Sequence, residues 1–313
     1  MTSKKRLEEY LLALSTLSLS MMQEIAKTVS ETEQEVEDEE DFRTLVSLML
    51  ASSSRLKRQF QRDIEQFLKE WDVAGIVRRC SDDIGYPVKD LDRTVETIEK
   101  GLKAMPAGAT RRMSEIVNEI SNRTGIKHEA VETALEHFAE KNIPAVQYED
   151  GKTVSVEAYA KTAINTGLHN AQLEADAEDR IRRKSFLVYA APRREACGKC
   201  IPWLGVVMFD DLHYTGEIPK EYAKYPLLSE AVKKGFLHPN CRDTIREYDP
   251  LTTDVERPTK EEQEKILERY KRDQYINYAK RNIRKYKILE SADSEKYGPL
   301  RKRWEERLKE AEQ

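Results

Sequence analysis

The sequence predicts a mainly helical α+β chain in which long charged helices gather around one small antiparallel sheet. Three observations carry that expectation. Apolar residues recur every three or four positions over long stretches. Charged residues make up 35% of the 313 residues against 39% hydrophobic, a balance suited to solvated helices around a modest core. Only between residues 186 and 250 does the pattern change to short runs of β-forming residues.

Helix is predicted through the first seventy residues. Leu7, Tyr10, Leu11, Leu14 and Leu17 trace one apolar stripe, and Leu45, Leu48, Leu56, Phe60, Ile64 and Phe67 trace a second. Between them "SETEQEVEDEED" is an acidic run, read as a solvated helix face or connector. Gly and Pro in "DDIGYPVKD" and again in "GLKAMPAGAT" are read as interruptions, with a domain boundary near residue 105. Val131, Ala134, Leu135, Phe138 and Ala139 mark a short helix that ends before Pro144. Asp150-Gly151 lies between short β-prone pieces as a tight turn, and Ser155 then caps a long helix.

Three runs, "SFLVYAAP", "GVVMFDD" and "DTIREYDP", are the expected strands of the sheet, each bounded by Pro, Asp or Gly. Beyond Pro258 the chain returns to charged helix. The expected organisation is a helical N-terminal region over 1–105, a core with the sheet over 106–257, and charged helices over 258–313.

Composition narrows function. The net charge of −4 comes from nearly balanced acids and bases, so the chain as a whole has no strong pull toward nucleic acid. No apolar run approaches the roughly 18–20 residues that cross a bilayer, so no membrane partner is expected. With only four cysteines, a reducing cytoplasm is expected, where close cysteines point to a metal or to reduced core thiols. No H-E-x-x-H, G-x-S-x-G or Gly-rich phosphate loop is present, and a non-enzymatic role is expected.

Cys197 and Cys200 form a C-x-x-C knuckle, and His238 and Cys241 form an H-x-x-C pair ahead of the third strand. Two short-spaced pairs on turns can set four soft or borderline ligands at the corners of a tetrahedron, the arrangement of a structural zinc site. The metal would cross-link the loops of a sheet too small to have a large core. The alternative is a set of reduced cysteines and a histidine satisfied by the backbone. His213, between the pairs, is the spare ligand, and Asp210, Asp211 and Asp243 are acids at strand ends that make turns or pair as acid and base. Cys80 is a small buried hydrophobe, and His128, His137 and His169 belong to helix surfaces or core edges.

One segment is locally basic. Arg269, Lys271, Arg272, Lys280, Arg281, Arg284, Lys285 and Lys287 are interleaved with Tyr270, Tyr275, Tyr278 and Tyr286. Such a helix can track a phosphate backbone or an acidic protein surface, or pack its Tyr and Ile stripe on the body.

Several blocks in order, "AVETALEHFAEKNIPAVQYEDGKTVSVEAYAKTAINTGLHNA", "CIPWLG", "YPLLSEAV" and "NCRDTI", resemble the phage minor capsid protein 2 family of tailed bacteriophages, over roughly residues 106 to 290. "CGKC" with "HPNCRD" is also similar to head-morphogenesis proteins of the Mu F type. Cys200, Pro202, Trp203 and Gly205 match the family's C-x-P-W-x-G block, and Asn240, Cys241 and Arg242 match its N-C-R block. Cys197 and His238 follow the Mu F pattern. Asp243 stands where the family often has histidine, or cysteine in the Mu F type, which leaves Cys197, Cys200, His238 and Cys241 as the complete set of four ligands. The resemblance implies a structural minor head protein, built into the head in the bacterial cytoplasm and lying inside the virion head. Its implied partners are the portal, the major capsid or scaffold proteins, and packaged DNA.

Overall fold

The structure is a computed structural model and describes residues 2–36, 41–123, 127–148, 150–191, 193, 195–239 and 241–313. Glu37, Asp38, Glu39 and Glu40 of the acidic run lie outside the described residues, as does Asn240. The fold is mainly helical with two small antiparallel sheets, as the apolar periodicity predicts. The chain divides into two compact units, one of Met1–Val77, Asp90–Lys161 and Ile276–Gln313, the other of Arg78–Lys89 and Thr162–Tyr275.

In the first unit, α1 (Ser3–Gln34) starts where the Thr2 hydroxyl accepts from the Lys5 amide at 3.3 Å. Of the predicted stripe Leu7, Tyr10 and Leu14 are buried, Leu11 and Leu17 are only half-buried, and the buried face continues through Met21, Ile25 and Val29. Asp41 caps α2 (Phe42–Glu70) in the same way, accepting from the Thr44 amide at 3.0 Å. Along α2, Met49 is buried in place of the expected Leu48, which is 37% exposed. Helix α2 packs along α1 and along α4 (Leu91–Ser121), which also packs on α5 (Lys127–Ala139).

The helix α4 corrects one expectation. Pro106 lies inside it and is buried, and no turn occurs at "GLKAMPAGAT". The glycines there serve packing instead. A Cβ on Gly108 would sit 2.3 Å from the Pro144 carbonyl oxygen, and one on Gly101 would sit 2.8 Å from Val146 Cγ2. Val146–Gln147 forms β1, which pairs antiparallel with β2 (Thr153–Val154) in the register Val146↔Val154, and Gly151 supplies the positive φ of the turn. The C-terminal residues of the unit are stitched to α1 by hydrogen bonds from Gln23 Nε2 to the Lys287 carbonyl at 3.0 Å and from Ser30 Oγ to the Ala292 carbonyl at 2.9 Å.

In the second unit, the turn expected in "DDIGYPVKD" is present. Gly85, at φ 73°, follows the end of α3 (Val73–Ile84), and its amide bonds back to the Ser81 carbonyl at 3.1 Å. Within this unit the later part of α6 (Val156–Arg182) precedes a three-stranded sheet of order β4-β3-β5. Its strands, β3 (Leu187–Ala190), β4 (Val207–Phe209) and β5 (Ile245–Glu247), fall in the three predicted runs. Leu187 pairs with Phe209 and Ala190 with Ile245. Short α7 (Leu228–Lys233) follows β4, and Val188, Ala190, Cys200, Leu204, Met208, Leu228, Phe236, Cys241 and Ile245 form one buried cluster. The first half of α8 (Lys260–Glu290) contributes Ile266 to that cluster, and α9 (Ser294–Glu312) follows α8.

Candidate metal centre

Tight turns place the four predicted ligands. The amides of Cys200 and Ile201 both bond to the Cys197 carbonyl, at 2.9 and 3.0 Å, and the chain then enters a single 3-10 turn, Ile201–Trp203. This fold-back sets the two thiols of the C-x-x-C knuckle on one side. Gly205 closes the segment at φ 69°, its amide bonded to the Ala190 carbonyl of β3 at 2.8 Å. A Cβ there would lie 2.5 Å from the Glu256 carbonyl oxygen, so only glycine fits. The second pair rides on another turn, with the Cys241 amide bonded to the His238 carbonyl at 2.7 Å.

The two turns meet. Cys197 Sγ lies 3.3 Å from His238 Nε2, and Cys200 Sγ lies 3.6 Å from Cys241 Sγ. His238 Nδ1 donates to the Pro239 carbonyl at 2.8 Å. That bond fixes the ring's orientation and leaves Nε2 facing the cysteines, as metal-binding histidines are commonly held. The donor atoms of Cys197, Cys200 and His238 all lie within 4.8 Å of one another. So do those of Cys200, Cys241 and Asp243, and Cys200 belongs to both sets. Cys200 and Cys241 are buried while Cys197 is half-buried at the rim.

The thiols are electrostatically unequal. Its hydrogen bond with Cys200 holds the Cys241 thiol below the ordinary value, while the same contact and burial push Cys200 up. Burial would raise Cys197, but the contact with His238 and the amides of Lys199 and Cys200 outweigh it and bring it down. Depressed thiol values favour the thiolate, the form that binds metal. Asp243 is the donor the sequence reading left out of the ligand set. Its carboxylate accepts from Cys241 Sγ at 3.3 Å, and its amide donates to the same sulfur at 3.4 Å.

The remaining residues of interest divide clearly. Pro202 accepts a hydrogen bond from Arg257 Nη2 at 3.1 Å, Trp203 packs against the buried cluster with Lys234 Nζ over its ring, and Arg242 is exposed. His213 is engaged with Asp210. Its Nδ1 donates to Asp210 at 2.8 Å, and Asp210 also accepts from Arg180 at 2.9 Å in an ion pair whose side chains are 3% and 4% exposed. Asp211 accepts from the Ser229 amide at the start of α7.

On α8, several basic side chains are turned inward or paired. Arg284 reaches Glu157 at 3.4 Å and Ser18 Oγ at 3.1 Å, Lys285 pairs with Glu140 at 2.6 Å, and Lys280 pairs with Glu312 at 3.2 Å. Lys287 is half-buried, and Arg281 sits 5.8 Å from the Tyr278 ring centroid. Lys271 and Arg272 are exposed, and Arg269 lines a cavity of about 480 Å³ with Arg193, Arg257 and Lys265.

Among the described residues no helix is long and apolar enough to cross a membrane. Comparison with curated proteins and with solved structures gives no match. The family model for phage minor capsid protein 2 matches residues 114–313, a span that takes in both turns of the Cys/His cluster and the charged C-terminal helices. The chain therefore belongs to the phage minor capsid protein 2 family.

Proposed function

We propose that this protein is a non-enzymatic structural component of a tailed-phage head, docking inside the head at the portal or the shell and assisting head morphogenesis, DNA packaging or ejection. The observation that carries this reading is the family match over residues 114–313. In this reading the span that the family model matches carries the head-protein core, and the long charged helices reach portal, capsid or scaffold partners. The protein joins the particle in the host cytoplasm and stays in the virion.

A structural zinc ion is part of the same proposal, held by Cys197, Cys200, His238 and Cys241. The fit rests on the donor set. Three sulfurs and an oriented imidazole nitrogen converge from two turns that no strand pairing joins directly. When bound, zinc cross-links those turns beneath the sheet.

Quantitative mass spectrometry of purified DNA-filled particles and empty procapsids tests the head assignment. A few copies per portal in both is the expected result, and absence from both would sink it. A second reading, DNA binding through α8, is favoured by exposed Lys271 and Arg272 and by Arg269 with its neighbouring cations. It requires salt-sensitive DNA retention by the purified protein that weakens when Arg269 and Lys271 are changed to glutamate.

A further inference from the structure

Asp243 is 3% exposed, and its Oδ1 has no hydrogen-bond partner among the described residues. Its other oxygen meets the Cys241 thiol, itself 6% exposed, and the carboxylate also engages the Cys200 thiol. No salt bridge reaches the carboxylate from the described cations. The imidazole of His169 engages the Asp243 backbone by hydrogen bond, and Arg180, the other buried cation of this unit's charge network, is committed to Asp210. Burying a carboxylate beside two sulfurs with no salt bridge is costly, because the neighbouring His169 ring interacts with it only at longer range and no contact ion pair offsets the desolvation. A cation at this point removes the cost.

Resting on the zinc reading above, we propose that Asp243 is itself a ligand of the metal, joining Cys200 and Cys241 in the buried part of the site. The geometry supports the assignment directly. The carboxylate oxygen and both sulfurs lie within 4.8 Å of one another, and all three residues are buried. Cys197 and His238 close the site from the half-buried rim, with Cys200 common to both sets. The two sets of three donors share Cys200, and a structural zinc ion takes four ligands from among them, Asp243 being one. Mixed thiolate, carboxylate and imidazole donors suit borderline zinc better than calcium or magnesium, which take oxygen shells. His238 and Cys197, on the rim, are the more exposed donors. Binding releases the thiol protons of the ligating cysteines to solvent, and the two positive charges of the metal offset part of the negative charge that the donors bring together.

The test measures zinc content and affinity in the full chain purified under reducing conditions, for the wild type, Asp243→Asn, Asp243→Cys and His238→Ala. Cobalt(II) serves as the spectroscopic probe. Outer-sphere partners of a metal ligand typically change affinity by about 10–100-fold. Asp243→Asn is expected to weaken zinc by more than about 100-fold and to alter the cobalt d–d bands. Asp243→Cys, which restores an anionic donor at the same position, recovers binding, whereas His238→Ala retains zinc with a smaller loss. Unchanged cobalt bands, or a loss in Asp243→Asn no larger than the roughly 10–100-fold of an outer-sphere partner, would overturn the assignment and leave the four-ligand zinc reading standing. A wild type that binds neither zinc nor cobalt would instead remove the zinc reading itself.

Discussion

The ion pair between Arg180 and Asp210 lends itself to a decisive perturbation. Its side chains are 4% and 3% exposed and 2.9 Å apart, and the same carboxylate accepts from His213 Nδ1 at 2.8 Å. Asp210→Asn keeps the shape but strips the charge, stranding a guanidinium that no longer has its buried counter-ion. Breaking one partner of such a pair costs about 3–5 kcal/mol, more than any single exposed ion pair contributes. For a unit of this size each kcal/mol lowers the melting temperature by roughly 2–4 °C, so a fall of about 6–20 °C is expected. Trp203 belongs to the second unit, and its fluorescence during thermal unfolding, in a Trp71→Phe, Trp304→Phe background, reports this transition. Replacing both partners by apolar residues, Arg180→Met with Asp210→Leu, is expected to recover most of the loss, because the penalty comes from the unpaired charge. A fall of less than about 1 kcal/mol in Asp210→Asn would refute the argument that the pair is desolvated and mutually dependent.

The same cluster predicts a pH window. Its hydrogen bond to Asp210 raises His213, so that contribution is fully present below the ordinary histidine value of about 6.5 and fades as pH rises through the folded value. Burial alone would raise Asp210, but His213 and Arg180 outweigh it and lower the carboxyl, so its contribution fades as pH falls from about 4 through the folded value. Stability from the cluster is therefore greatest between about pH 4 and 6.5, and His213→Gln should flatten the alkaline limb of melting temperature against pH. Gly108→Ala should destabilise the first unit by about 1–3 kcal/mol despite alanine's better helix propensity, because the new methyl carbon would sit 2.3 Å from a backbone oxygen. Denaturant titration checks it, and a stabilised variant would contradict the packing account. Arg284→Ala, which leaves half-buried Glu157 without its cation, should cost about 1–3 kcal/mol, whereas Lys280→Ala, in an exposed pair with Glu312, should cost under about 1 kcal/mol. Equal losses would mean that burial does not distinguish the two pairs.

Much of this protein was legible in residue order alone. The stripes along α1 and α2 follow from a 3.6-residue period, and the strands of the second sheet follow from short β-branched and aromatic runs bounded by turn residues, because these patterns are local. The pairing of the two Cys/His turns was also foreshadowed, since each short spacing already fixes two donors side by side. What the residue order left open was set by packing between distant segments. Pro106 and Gly108 look like breakers until the Pro144 backbone is seen lying against the helix, where a missing side chain makes room for close approach. The residue order allowed Arg284 and Lys285 either to track a partner or to pack on the body, and pairing with Glu157 of α6 and Glu140 just after α5 depends on segments far along the chain. Asp243 resembles an ordinary turn acid in "NCRD", and only the burial of its carboxylate beside two sulfurs turns it into a metal ligand candidate. Periodicity is a property of neighbours along the chain and survives in the sequence. Desolvation and charge pairing depend on neighbours in space, and those exist only once the chain has folded.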